Sequence, residues 1–334
     1  MSMPAVKALK EQYPAIRISW LVEGSVGELL AHQPFIDRVI RFPRSAATGA
    51  LRRGNIGLAR REMGRFLKAL REDRHDAIVD FHGIIKSALF GLYAHGRRIG
   101  FGKMYAKEKS HLFYHETVEG REKRLHKVER NMLLPRHIGL AGDIPPLALV
   151  APPDAIAYVS RFLEGEEIRP PLFALNPFSS KGSAFKRWDI ARYRELIRRI
   201  RVNDLARIVI LWGPGEEEEA GALQEESGEG VFLACPTNVP QLLALLQKTD
   251  MYIGGDTGVM HLAAFAGTPV VAIFGPTDVL VNGPYSAKST VIRKDLPCSP
   301  CKNKDCRERS CLDGISVDEV YNAVSAMKEK TGST

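Results

Sequence analysis

Between the apolar run Met251–Ile253 and an apolar run with helical spacing, the chain places Gly254, Gly255, Asp256, Thr257 and Gly258. Glycines at such a strand-to-helix turn admit backbone angles and close approaches that a side chain forbids. Asp256 or Thr257 can cap the helix that follows, leaving its free N–H groups and the positive end of its dipole facing a ligand. Such a turn cradles an anion, most naturally a phosphate. His261 follows Thr257 by four residues and therefore shares its helix face. Two further stretches carry compatible chemistry. NPFSSKGSAFKRW follows the apolar LFAL and offers Ser179, Ser180, Lys181 and Lys186, hydroxyls and ammonium groups that complement phosphate oxygens. LWGPGEEEEAG brings Glu216, Glu217, Glu218 and Glu219 to another turn, where one carboxylate can accept hydrogen bonds from a ribose diol. Read without a ligand, the same three stretches are a capped α/β turn, a solvated loop and an acidic first helical turn favoured by the dipole.

Cysteine chemistry is concentrated near the C-terminus. CSPCKNKDCRERSC holds Cys298, Cys301, Cys306 and Cys311, apart from Cys235. Four soft ligands with one C-x-x-C pair suit a tetrahedral structural zinc, and the competing reading is reduced cysteines shaping a loop. Disulfides are disfavoured in a reducing compartment. The beginning of the chain, MSMPAVKALKEQYP, lacks the apolar core of a secretory signal, so the cytoplasm is the expected location.

Positioning these groups requires a scaffold, and the pattern specifies one. Short apolar runs, AIRISWLV, DRVIRF, DAIVDF, LFALNPF, ARIVILWG, DMYIGG and PVVAIFG, read as strands. Amphipathic stretches alternate with them: PAVKALKEQY, LARREMGRFLKALRE, KVERNMLLPRHIGL, ARYRELIRRIRV, PQLLALLQK and GVMHLAAFA. This alternation predicts an α/β fold of parallel sheets covered by helices. At 334 residues, two doubly wound domains side by side with a ligand cleft between them are expected. GDIPPLALVAPPD, rich in proline, is the linker.

Charge divides the chain unequally. Residues 1–150 carry 26 Lys and Arg against 15 Asp and Glu, a net +11, whereas the rest carries 21 against 24, a net −3. The basic half suits an anionic partner such as nucleic acid, acidic lipid or a phosphorylated sugar. Arginine-rich helices such as ARREMGRFLKALRED also serve simply as solvated faces.

With the three turns in view, the sequence resembles glycosyltransferase family 9, the ADP-heptose:lipopolysaccharide heptosyltransferases. GGDTGVMHLAAFAGTPVVAIFGPTD carries the likeness to the family's donor signature. LVEGSVGELLAHQPFIDRVIRFPR, DFHGIIKSAL and GFGKMYAKEKSHLFYHETV extend it into the first half, most like heptosyltransferase I. The resemblance implies a GT-B fold of two Rossmann-like domains. It divides the chain into an acceptor domain over 1–145, a donor domain over 146–315 and a C-terminal helix over 316–334 that packs back toward the first domain.

By position, the resemblance makes Ser179 and Ser180 diphosphate contacts and Lys186 a phosphate-binding, catalytic lysine. It makes Glu217 the ribose-contacting acid, with Glu216 and Glu218 as alternatives, and puts Asp256, Thr257, Gly258 and His261 around the donor sugar and pyrophosphate, with Asp256 catalytic beside Lys186. Arg60, Arg61 and Lys86 are the expected readers of an acceptor bearing 3-deoxy-octulosonate (Kdo) on lipid A. The implied reaction is inverting and needs no metal: a carboxylate removes the acceptor proton, while lysine and helix N-terminus stabilise departing ADP. The expected partners are ADP-heptose, Kdo-lipid A and the anionic inner face of the cytoplasmic membrane, which a peripheral monomer would visit. Nucleic acid is not expected. Alternatives are heptosyltransferase II or a member with another acceptor, and a non-catalytic nucleotide-sugar-binding protein.

One departure from the family pattern is expected to matter. Met1, Ser2 and Met3 align past the family's first strand and its aspartate loop, so the general base has no counterpart in the sequence. Without that central strand two neighbouring strands should expose unpaired backbone groups. The competing explanations are a longer natural protein and a truncated relic.

Overall fold

The computed structural model describes residues 1–301 and 303–332, apart from the side chain of Lys181. Lys302 in the cysteine loop, and the last two residues of the expected 316–334 helical segment, lie outside the described residues. The chain divides into two compact units, 1–147 and 148–334.

The second unit is built on one parallel sheet. Its strands are β6 (Leu172–Asn176), β7 (Arg207–Ile210), β8 (Val231–Leu233), β9 (Met251–Gly255), β10 (Val270–Ile273) and β11 (Ser289–Ile292), ordered β11-β10-β9-β6-β7-β8. The order runs outward from β6 on one side and then resumes with β9 on its other side, so the chain reverses direction across the sheet between β6 and β9. In an open α/β sheet the carboxyl ends at such a reversal are where ligands bind. Continuous apolar composition follows from cover on both faces; every residue of β6 and β10 is buried.

The helices supply that cover through 3.6-residue spacing. Helix Ile190–Asp204 buries Tyr193, Leu196, Ile197 and Ile200, and Asp189 caps its start by accepting from Ala191 N–H at 2.8 Å. The last helix, Val317–Thr331, buries Val320, Val324 and Met327 against helix Ile190–Asp204, β10 and β11 of this same unit. A reciprocal pair starts it, in which Glu319 accepts from Ser316 N–H and Ser316 Oγ from Glu319 N–H. Trp188, buried, donates its indole N–H to the Ile315 carbonyl at 3.1 Å, so the beginning of that helix is tied to the loop after β6.

The first unit differs from the single doubly wound sheet that alternation suggested. It holds two separate parallel sheets, β1 (Ser19–Glu23) with β2 (Arg38–Phe42), and β3 (Arg74–Asp80) with β4 (His95–Phe101) and β5 (Glu116–Val118). A cavity of about 1800 Å³ is lined by residues 19–21 of β1 and 74–80 of β3. β1 pairs only with β2, and β3 only with β4, so each presents one edge without a neighbouring strand among the described residues. The cores reflect this division, with Ile40, Phe66 and Leu70 in one cluster and Ile99, Phe101, Tyr105, Val118 and Leu134 in another.

Edge strands exchange their unpaired amides with water far faster than central strands. Hydrogen exchange on this chain should therefore show fast exchange in β1 and β3 and slow exchange in β6 and β9. Equal protection of all four strands would contradict the open edges.

Candidate functional site at the carboxyl edge of the second sheet

The site grows from the register of two strands. Asn176, the last residue of β6, stands opposite Gly254 in β9. A Cβ on residue 254 would lie 2.7 Å from the Asn176 carbonyl oxygen and 2.6 Å from the Tyr252 hydroxyl, so only glycine permits this approach. Neither Gly254, Gly255 nor Gly258 has a positive φ; the close packing at Gly254, and not an unusual backbone angle, is the reason for glycine there. At Gly258 a Cβ would meet nothing within 4 Å.

A polar network holds the turn. Asn176 Nδ2 donates to the Tyr252 hydroxyl at 3.1 Å and to Thr257 Oγ1 at 3.2 Å, and its Oδ1 accepts from Phe178 N–H at 3.4 Å. Thr257, the residue before helix Gly258–Ala266, accepts from Met260 N–H at 3.4 Å and so caps that helix. Burial pushes the Tyr252 phenol up to about 12, which keeps it a neutral partner to this network. Asp256 beside it is held by the Lys186 ammonium, 2.9 Å from Oδ2, with the carboxylate side chain only 9% exposed. Lys186 comes from a short 3-10 helix, Lys181–Lys186, that follows β6. The lysine loop and the glycine turn therefore meet at the β6/β9 reversal. His261 lies one turn into the helix, half-buried.

The third turn is attached through Arg187, which sequence reasoning passed over. Its guanidinium donates to the Ser179 carbonyl, to Glu216 at 2.9 Å and to Glu219 at 3.2 Å, and it lies over the Phe178 ring. Glu216 also accepts from Gly213 N–H at 2.9 Å. Of the acids left open by sequence, Glu216 is thus occupied in shaping the turn, whereas Glu217 and Glu218 stand exposed at the start of helix Glu217–Ser227. Ser179 is buried and donates to the Ser183 carbonyl at 2.9 Å, while Ser180 Oγ lies 3.3 Å from Ser183 Oγ. Asn176 and Arg187 had a visible signal in the sequence, a polar residue ending a buried strand and a second cation beside Lys186.

The remaining sequence candidates are placed otherwise. Arg60 and Arg61 are exposed on helix Ile56–Arg71. Lys86 is paired with Glu23 at 2.5 Å and lies over the Phe42 ring, 4.3 Å from its centroid. The Lys86 and Arg44 contacts hold the Glu23 carboxyl below its usual range. Cys298 and Cys306 are exposed, Cys301 and Cys311 half-buried, and all are free thiols. Burial, with the neighbouring thiols Cys301, Cys298 and Cys306, pushes Cys311 up. Even so, among the described residues no group of three or more His, Cys, Asp or Glu converges to hold a metal ion. The loop that carries these thiols is held by backbone and serine bonds, Cys301 N–H to the Pro276 carbonyl and Ser299 Oγ to the Gly275 carbonyl.

Residues 63–312 match the family model described as glycosyltransferase family 9 (heptosyltransferase). The chain belongs to glycosyltransferase family 9. Lipopolysaccharide heptosyltransferase 1 of Pseudomonas aeruginosa is 26% identical over 91% of this chain and 83% of that protein. Lipooligosaccharide heptosyltransferase 2 of Haemophilus influenzae is 28% identical over 88% and 84% respectively. Among solved structures, Escherichia coli heptosyltransferase WaaC with ADP superposes with a TM-score of 0.77 at 22% identity, covering 98% of this chain and 95% of that one. The fold is accordingly the GT-B fold of the family 9 enzymes, and the β6/β9 reversal with its glycine turn lies within the matched span.

Removing the Asn176 side chain takes one hydrogen-bond partner from the buried Tyr252 hydroxyl and one from Thr257, and a lost bond of this kind costs about 0.5–1.5 kcal/mol. Asn176→Ala should lower the melting temperature and weaken ADP binding together. Gly254→Ala should destabilise by roughly 1–3 kcal/mol through overpacking, while Gly258→Ala should stay within about 0.5 kcal/mol in the free protein. Equal melting temperatures for the two glycine variants would refute the close-approach argument.

Proposed function

We propose that this family 9 glycosyltransferase moves heptose from ADP-heptose to the Kdo residue of the lipid A inner core of lipopolysaccharide, with inversion and without a required metal. The observation that carries the reading is the meeting of Lys186, Asp256 and the capped start of helix Gly258–Ala266 at the reversal between β6 and β9. An ammonium next to free helical N–H groups is suited to a diphosphate, whose negative charge grows as the anomeric bond breaks. Asp256 keeps Lys186 in place before the donor arrives and then shares it with the phosphate oxygens. The Ser180 hydroxyl, and the Ser179 hydroxyl once it releases the Ser183 carbonyl, add hydrogen bonds to the same group, and Glu217, exposed at the helix start, accepts from the ribose hydroxyls. Thr257, Gly258 and His261 complete the donor pocket.

Acceptor recognition falls to the basic first unit in this reading. Arg60 and Arg61 are solvent-facing guanidiniums free to pair with carboxylate or phosphate, while Lys86 exchanges its Glu23 contact for the acceptor. The attacking hydroxyl loses its proton to a carboxylate as the new bond forms. The acceptor is lipid-borne, so the enzyme works at an anionic membrane face. Among the described residues no helix is long and apolar enough to cross a membrane. Both heptosyltransferase 1 and heptosyltransferase 2 relatives resemble the chain, so a heptosylated acceptor is the alternative within the same chemistry.

Product formation from ADP-heptose with Kdo-lipid A, run beside a heptosylated acceptor, distinguishes the two readings. Turnover on Kdo-lipid A is the expected result, and product from the heptosylated acceptor alone would transfer the assignment to the alternative. Lys186→Ala should lower kcat by about 10²–10³, the usual loss when one stabilising donor is removed from a developing charge. Unchanged turnover in that variant would remove Lys186 from the mechanism.

A further inference from the structure

The helix Ile85–Tyr93 turns two different faces outward and inward. Inward, Ala88 and Gly91 are buried and Phe90 packs on Phe42 and Phe66 at ring distances of 4.9 and 5.1 Å. Outward, Ile85, Leu89, Leu92 and Tyr93 fall at i, i+4, i+7 and i+8, a single helical stripe, and are 37%, 39%, 46% and 41% exposed. Leu112, 70% exposed, extends the stripe from the short helix Ser110–Phe113, which packs against this one. Scattered apolar residues on a surface need no explanation, but a contiguous apolar stripe usually marks a contact.

Charge surrounds the stripe. Lys103, Lys107 and Lys109 are exposed on the segment leading into helix Ser110–Phe113. That segment is fixed beside the stripe: Lys107 N–H donates to the Gly83 carbonyl at 2.8 Å, and Glu108 accepts from Ile85 N–H at 3.2 Å. At the opposite end the Arg71 guanidinium stands over the Tyr93 ring, 5.5 Å from its centroid. An apolar ridge rimmed by cations, with an aromatic ring at its edge, matches an anionic lipid surface, where apolar side chains enter the acyl boundary and cations meet headgroups.

We propose that helix Ile85–Tyr93, with Leu112 and the lysines of segment 103–109, is the surface by which this chain docks on an anionic lipid bilayer. It rests on the reading of a lipid-borne acceptor but adds where the protein touches the lipid. The net +11 of residues 1–150 attracts the protein over distance, and the stripe supplies the short-range apolar contact. Leu89 and Leu92 belong to neither the donor site nor the acceptor readers.

Cosedimentation of the full chain with vesicles tests it, using phosphatidylcholine alone and phosphatidylcholine mixed with phosphatidylglycerol. The expected result is binding to the mixed vesicles that weakens with salt. Leu89→Ser with Leu92→Ser should weaken it roughly tenfold, and Lys107→Ala with Lys109→Ala should weaken it on mixed vesicles only. ADP titration and the melting temperature of the same samples establish that the variants are folded. Folded leucine variants that sediment with vesicles as the parent does would overturn the proposal. So would a parent that binds ADP but no vesicle, or a dimer in vesicle-free solution that the leucine changes dissolve, since the stripe would then belong to a second copy. Absence of ADP binding in the parent, with vesicle binding intact, would count against the donor reading and leave the docking surface standing.

Discussion

Strand β9 can bring its carboxyl end beside that of β6 because residue 254 carries no side chain. The Asn176 carbonyl and the Tyr252 hydroxyl already occupy the space a Cβ would need. From this contact the other features of the site follow in order. It puts the Asn176 amide within reach of Thr257, fixing the residue that caps the next helix. The cap satisfies one of the orphan N–H groups and leaves others directed away from the sheet. A backbone packing constraint, in which no charge takes part, thereby sets where charge can be bound.

Ionic groups then divide the work between adjacent residues. Lys186 is paired with Asp256 of the glycine turn, and Arg187, next in sequence, with Glu216 and Glu219 of the third turn. The Lys186–Asp256 and Arg187–Glu216 pairs are partly buried, where attraction is stronger than in water and removal of one partner is correspondingly costly, whereas Glu219 is exposed. Arg187 bonds to three turn groups and acts as a fastener. Among the described residues Lys186 has a single carboxylate partner, and in the proposed reading it shares that interaction with the donor's diphosphate.

The two units meet different physical demands. The second unit has one uninterrupted parallel sheet, and the candidate site lies at its carboxyl edge. In the first unit the sheet is divided and two strand edges stay open beside a cavity. Its helices expose arginines and an apolar stripe. In the proposed reading, recognition of an extended, charged and lipid-linked acceptor calls for broad surface, whereas stabilising a leaving diphosphate calls for a few fixed dipoles.

Much of this was written in local sequence. The apolar runs at LFALNPF, DMYIGG and PVVAIFG became buried strands, and PQLLALLQK and GVMHLAAFA became helices, because burial on both faces demands continuous apolar residues and helices repeat near 3.6. The glycine turn, its Thr257 cap and the lysine loop were legible for the same reason, since each depends on a few consecutive residues. Other elements had no such local signal. β4 contains charged and glycine residues, β5 and β8 are three residues long, and pairing with neighbours stabilises them. Residues 176, 187 and 252 acquired their roles from groups distant in the chain, and sequence spacing does not encode which hydroxyl an amide will meet. Composition and period determined the α/β class and the positions of the turns. Tertiary structure alone decided that Gly254 is required by packing and that Glu216 is held by Arg187, because each depends on distances between segments brought together only by folding.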